Sequence, residues 1–269
     1  MRFRYFCVLF LVILLNKSYS QSTASEQVTK FEIAVPQLDT TKTIWVYLPK
    51  NYENSKNSYP VIYMHDAQNL FDAKTSYVGE WEVDEFMDQL TDNESIIVGI
   101  EHGNEKRIDE LTPYYHTKYG GGKGDAYLTF IKNTLKPHID VAYRTKSDAL
   151  NTTIFGASLG GLISFYAAIK YPEIFGKAGV FSPSFWINPE LYDLVRSTDI
   201  PESSKFYFLV GGKEGENMVP DQERMVELLK SKGVKENQIQ NHVIEDGEHN
   251  EQFWSAHFGN AYQWLTTNN

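Results

Sequence analysis

Cysteine is almost missing from this sequence. The only one, Cys7, lies in an N-terminal stretch that reads as a leader, not as part of the fold. Disulfides, thiol nucleophiles and cysteine-based metal sites are therefore excluded from the rest of the chain. Long apolar runs are also scarce. Residues 6–15 form an apolar stretch of ten, where a membrane-spanning helix takes about 20. Arg2 and Arg4 precede it and the small-x-small triplet Ser18-Tyr19-Ser20 follows it. Residues 1–20 thus read as a signal peptide cut before Gln21, which predicts export to the periplasm or the medium. Cys7 has no leucine three positions before it, so no lipid anchor is expected. Positive charge is in short supply: 25 Lys and Arg stand against 35 Asp and Glu, and Arg2, Arg4 and Lys17 leave with the leader. That balance argues against nucleic acid or an anionic membrane as a partner. Repeats, low-complexity tracts and linkers are absent, so residues 21–269 are expected to form a single domain.

Aromatic residues are plentiful, at 14% with 17 Tyr and 16 Phe. They suit an aromatic-lined cleft and equally a well-filled core. Apolar runs that read as strands occur at 31–35, 43–48, 60–66, 95–100, 152–156, 178–182, 205–211 and 239–245. Helical spacing occurs at 81–90, from Asp125 to a stop at Pro137, and at 159–170, 221–232 and 251–265. Two leading antiparallel strands followed by alternating strands and helices predict an α/β fold. Its eight-stranded, mostly parallel sheet should carry helices on both faces.

The rest of the chain is organised around Gly156-Ala157-Ser158-Leu159-Gly160, which fits G-x-S-x-G between an apolar strand and an apolar helix. A serine nucleophile must stand out at a sharp turn. Small residues two before and two after it let strand and helix pass closely. Ser158 is therefore the candidate nucleophile. In the α/β-hydrolase pattern that this motif and strand count resemble, an acid and then a histidine follow the serine in chain order. The loop after strand 205–211 offers Glu214 as its first carboxylate, with Glu216 and Asp221 as rivals. The loop after the last strand offers His249 as general base. His242 falls inside a strand and His257 inside a helix. His65 ends the third strand and is expected to shape the loop there. The oxyanion hole is expected to use the backbone N–H of Leu159 and that of Gln68, with Ala67 second, each donor contributing about 3 kcal/mol to the transition state.

Four stretches then resemble one family. They are His65-Asp66-Ala67-Gln68-Asn69-Leu70-Phe71-Asp72, Arg107-Ile108-Asp109-Glu110-Leu111-Thr112-Pro113, Leu135–Asp140 with Tyr143-Arg144-Thr145, and Phe155 through Pro183. Together they are similar to the putative-esterase family of α/β hydrolases, which includes enterochelin esterases, feruloyl esterases, S-formylglutathione hydrolase and mycolyltransferases. The resemblance is strongest to its siderophore-esterase-like branch. It implies a Ser-acid-His esterase without a cofactor or metal, acting on a small-molecule or glycan ester. Acyl transfer on the same scaffold and non-catalytic siderophore or glycan binding are the alternatives. Ala67 departs from the family's usual glycine, and its methyl is expected to narrow the oxyanion loop slightly.

Three further expectations concern the surroundings of the site. Arg107 is expected to pair with Glu110 on a structural loop rather than to bind substrate. The aromatic, glycine-rich loop Tyr114–Gly124 is expected to be flexible and to border the acyl or aryl pocket; it lacks the G-K-[ST] of a phosphate-binding loop. Phe185 and Trp186 are candidate pocket walls on an insertion after the sixth strand.

Overall fold

The apolar runs pair into one eight-stranded sheet in a computed structural model that describes residues 22–267. The expected signal segment, residues 1–20, lies outside the described residues. In chain order the strands are β1 (Val28–Val35), β2 (Thr40–Tyr47), β3 (Val61–His65), β4 (Ile96–Ile100), a two-residue ribbon of β5 (Tyr115–His116) and β6 (Gly120–Gly121), then β7 (Thr152–Ala157), β8 (Lys177–Phe181), β9 (Lys205–Gly211) and β10 (Ile239–Ile244). The helices are α1 (Val83–Met87), α2 (Arg107–Leu111), α3 (Gly124–Phe130), α4 (Lys136–Ala142), α5 (Leu159–Lys170), α6 (Glu190–Ser197), α7 (Met218–Ser231) and α8 (Glu251–Thr266).

The sheet order is β1-β2-β4-β3-β7-β8-β9-β10. The β1/β2 and β2/β4 pairs are antiparallel and all others parallel, as the alternation of strands and helices predicts. Alternation along each strand divides the core. Ile154 faces the layer built with α3 to α7, whereas its neighbour Phe155 faces the layer built with α1 and α8. β3 lies between β4 and β7, so the chain leaves it first to one side of the sheet and later to the other. That reversal opens a crevice at the carboxyl ends of the strands, the usual ligand position in such sheets.

The helix expected to stop at Pro137 does not stop. α3 continues through a π-helical stretch, Ile131–Leu135, into α4, and Pro137 sits in the first turn of α4. Within a continuous helix a proline has no N–H to give to the preceding turn, and the wider π-helical turn before it makes room for its ring. α7 likewise begins three residues before the expected Asp221, with Pro220 in its first turn.

Candidate active site

Ser158 sits between β7 and α5 with φ 59° and ψ −121°, a strained conformation for a residue with a side chain. Glycine makes the turn possible. A methyl on Gly156 would come within 2.7 Å of the Gly160 backbone, so strand and helix touch at the elbow. On the other side of Gly160 stands the His65 side chain, 3.3 Å from where a Cβ would lie. The Ser158 hydroxyl hydrogen-bonds the Ser184 hydroxyl at 3.3 Å. The backbone N–H of Leu159 opens α5, among the amides to which the helix supplies no acceptor.

His249 and Glu214 meet across two adjacent loops. His249 Nδ1 lies 2.8 Å from Glu214 Oε2, and the Glu214 side chain is fully buried. Its other oxygen, Oε1, accepts from the Gly211 N–H at 2.7 Å and from the Ser182 hydroxyl at 2.6 Å. Ser182 in turn accepts from Trp254 Nε1 at 2.8 Å. The carboxylate is thus held by three donors, and the Trp254 ring stands edge-on to His249 with centroids 5.0 Å apart. Glycine at the end of β9 permits a close approach of the two loops. A Cβ on Gly211 would fall 2.3 Å from Gly247, so the missing side chain lets the two loops press together. Of the rival acids, Glu216 is exposed, and Asp221 lies in α7, where its oxygens accept from the Tyr192 hydroxyl. His242 stacks on Tyr207, and His257 Nδ1 bonds the Phe253 carbonyl one turn earlier in α8.

One cleft of about 520 Å³ brings these groups together, with Ser158, His249 and Gln68 on its lining. Ala67 is fully buried instead. Its methyl fills the space that Gly99 leaves open, where a Cβ would meet it at 2.9 Å. The expected narrowing of the oxyanion loop by Ala67 is therefore corrected: the methyl packs into the core beneath. Gln68 is pinned at both ends of its amide by the His102 backbone, accepting from its N–H at 3.3 Å and donating to its carbonyl at 3.4 Å.

Arg107 does not pair with Glu110. It donates to both oxygens of Asp66, from Nε at 2.7 Å and Nη2 at 2.8 Å, on the cleft lining. Glu110 turns inward to Lys42 at 2.8 Å and to the Gly103 N–H at 2.9 Å. Burial raises the Asp66 carboxyl, but the Arg107 charge and its hydrogen bonds outweigh that and hold it below the usual carboxylate range. Burial lowers His65 to about 4, so at neutral pH it is an uncharged ring, with Nδ1 2.8 Å from the Tyr127 hydroxyl.

The walls differ from those expected. Trp81, Trp254, Tyr77 and Val78 line the cleft. Phe185 is fully buried against Phe165, and Trp186 packs on Tyr119 at 5.5 Å, away from the cleft. The Tyr114–Gly124 loop does not line the cleft; it folds into the β5–β6 ribbon, with positive φ at Gly120, Gly121 and Gly122. His102 and Glu251 also line the site and went unnoticed in the sequence. His102 follows the end of β4 as His65 ends β3, a positional signal that was there to be used.

Residues 36–265 match the family described as "Putative esterase". The uncharacterized protein YbbA of Bacillus subtilis is 29% identical over 233 residues, spanning 82% of this chain and 90% of YbbA. The ferri-bacillibactin esterase BesA of the same organism is 30% identical over 151 residues, 49% of this chain and 50% of BesA. The crystal structure of the BES protein from Bacillus cereus has a TM-score of 0.73 at 18% identity, covering 93% of this chain and 98% of that one. Among the described residues, no helix is long and apolar enough to cross a membrane.

Proposed function

The chain belongs to the putative-esterase family and is a carboxylic-ester hydrolase, and we propose that it works as a serine esterase through Ser158, His249 and Glu214. Ser158 Oγ attacks the ester carbonyl while His249 Nε2 takes its proton. Glu214, through Nδ1, fixes the ring and stabilises the imidazolium that forms. The oxyanion rests on the N–H groups of Leu159 and Gln68. His249 returns the proton to the leaving alcohol, and the acyl-Ser158 ester is then cleaved by a water that His249 deprotonates. The observation that carries this reading is the buried Glu214 bonded to His249 on the rim of the cleft that also holds Ser158. The tautomer with hydrogen on Nδ1 leaves Nε2 free to accept, and the mechanism requires the serine hydroxyl to turn from Ser184 toward the ring. Apo sites often leave such contacts loose until substrate binds.

The substrate we propose is a siderophore-type or other aryl-bearing ester. Support comes from aromatic walls beside a polar floor that contains a fixed Asp66–Arg107 pair, and from the similarity to BesA. The protein is further proposed to be exported after cleavage near Ser20, with residues 21–269 as one catalytic domain. The test is hydrolysis of an ester panel by the mature protein, holding a short p-nitrophenyl ester, methyl ferulate, an acetylated xylan and a catecholate trilactone, beside Ser158→Ala. Serine-dependent release of a catechol or aryl acid supports the reading. Cleavage that survives Ser158→Ala refutes the mechanism, and a preference for acetylated xylan refutes the substrate class.

A further inference from the structure

Behind the Trp81 wall, the chain gathers acids without a base. Glu80, Asp84 and Glu85 each present a carboxylate oxygen within 4.8 Å of the other two. None of the three takes part in an ion pair among the described residues. Asp84 is fully buried, yet among the described residues its Oδ1 and the buried Oε2 of Glu85 find no N–H or hydroxyl donor, and the two carboxyls lie close enough to share a proton. Among the described residues only neutral donors approach. The Ser25 N–H reaches Asp84 Oδ2 at 2.6 Å, and the Thr23 hydroxyl reaches the two Glu80 oxygens at 3.1 and 3.0 Å.

We propose that Glu80, Asp84 and Glu85 bind a hard divalent cation, calcium by its ligand chemistry, which braces the Trp81 wall of the cleft. Unpaired buried carboxylate oxygens are costly, and a hard cation satisfies them directly. The donor set favours calcium. Calcium accepts several protein carboxylates in a flexible arrangement, whereas magnesium demands a near-octahedral set, keeps several waters and is held by only one or two carboxylates. Three carboxylates and no nitrogen or sulfur ligand also disfavour zinc. This site lies outside the groups that perform the ester chemistry, for which no metal is expected. It is nonetheless joined to the cleft, because Trp81 lies in the chain between Glu80 and Asp84. The Trp81 ring meets Phe181 at 6.0 Å and Trp254 at 5.7 Å. The strap Ser22–Ser25 also crosses here, with the Ser22 hydroxyl on Asp72 at 2.7 Å and the Ser25 hydroxyl on Asp88 at 2.9 Å. A cation in the cluster ties strap, wall loop and α1 into one unit.

The experiment is thermal unfolding of the mature protein, dialysed against chelator and then titrated with calcium chloride or magnesium chloride at about pH 7.5, on the alkaline side of neutral, where fewer protons compete with metal for carboxylates. Calcium near 100 times its dissociation constant is expected to raise the melting temperature by roughly 5–10 °C, with magnesium giving less at the same concentration. Glu80→Gln and Glu85→Gln keep the shape of the side chains and spare the buried Asp84, so both are expected to fold. Each should weaken apparent calcium affinity about tenfold or more. A melting temperature indifferent to calcium overturns the proposal and leaves the acids neutralised by protons. An unchanged response in both variants also overturns it, since the ion would then bind elsewhere. An equal response to magnesium overturns the assignment to calcium.

Discussion

Arg107 grips Asp66 with two hydrogen bonds, 2.7 and 2.8 Å long, directly before the turn Ala67–Asn69 that carries Gln68. Asp66 itself sits at φ 59°, in the left-handed region. The pair therefore holds a strained residue in place beside the proposed oxyanion donor. Arg107→Ala leaves a largely buried carboxylate without its partner, at a cost of about 3 kcal/mol in stability. It should also lower kcat by roughly 10-fold or more if the Gln68 amide loses its aim, since a misplaced group costs rate even at a distance. Arg107→Lys restores the charge but not the two-pronged grip, and is expected to recover stability more fully than kcat. Steady-state kinetics beside thermal melts read both effects. An unchanged kcat in Arg107→Ala refutes the positioning role.

Ser158→Ala and His249→Ala are expected to lower kcat by roughly 10³-fold to 10⁶-fold with intact folding, and Glu214→Ala by less. Ser182→Ala provides the finer test. It removes one of the three donors that hold Glu214 and leaves Trp254 Nε1 without its acceptor. The expected result is a stability loss of about 1–3 kcal/mol and a kcat below wild type but well above that of Glu214→Ala. Circular dichroism of each variant separates rate loss from unfolding.

His65 sets a pH limit on stability. Its ordinary value is 6.5 and burial lowers it to about 4 in the fold. Above pH 6.5 neither folded nor unfolded protein protonates it, and it contributes nothing to the pH dependence. Between 6.5 and about 4 the unfolded chain takes up the proton and the folded chain does not, so stability falls as pH falls, by about 3 kcal/mol at most. Denaturant melts from pH 7 to pH 4 should show this slope, and His65→Asn should flatten it. An equal slope in the variant assigns the effect to other groups.

Tyr77 is 91% exposed and Val78 64%, yet both line the cleft. Such apolar surface at a rim suits an aromatic ligand. Tyr77→Ala is expected to raise KM for aryl esters by roughly 3–10-fold while leaving short acyl esters unchanged. Equal effects on both classes would remove Tyr77 from substrate recognition.

Local rules make much of this legible in the sequence. The elbow at Ser158 is a short-range object: an apolar strand, small residues at fixed spacing and an apolar helix leave the chain one sharp turn. Chain order and strand ends then singled out His249 and Glu214, which the fold brings to 2.8 Å of each other. The strands could be read because their buried positions follow a period of two or run apolar throughout. What the sequence left open is the choice among competing long-range partners. Arg107 and Glu110 are three residues apart and suggest a local pair, but Lys42, 68 residues from Glu110, claims the glutamate, and Asp66 claims the arginine. Pro137 reads as a stop, yet a π-helical turn absorbs it. Trp186 reads as a pocket wall, but Trp81 and Trp254 take that place because α1 and α8 pack on the face of the sheet beneath the cleft. Sequence determined the eight strands of the main sheet, the elbow and the helices that follow β7, β9 and β10, since those depend on neighbours within a few residues. Tertiary structure alone decided which charges pair and which aromatic rings face the substrate, since those depend on which distant groups the closing of the sheet brings within a few ångströms.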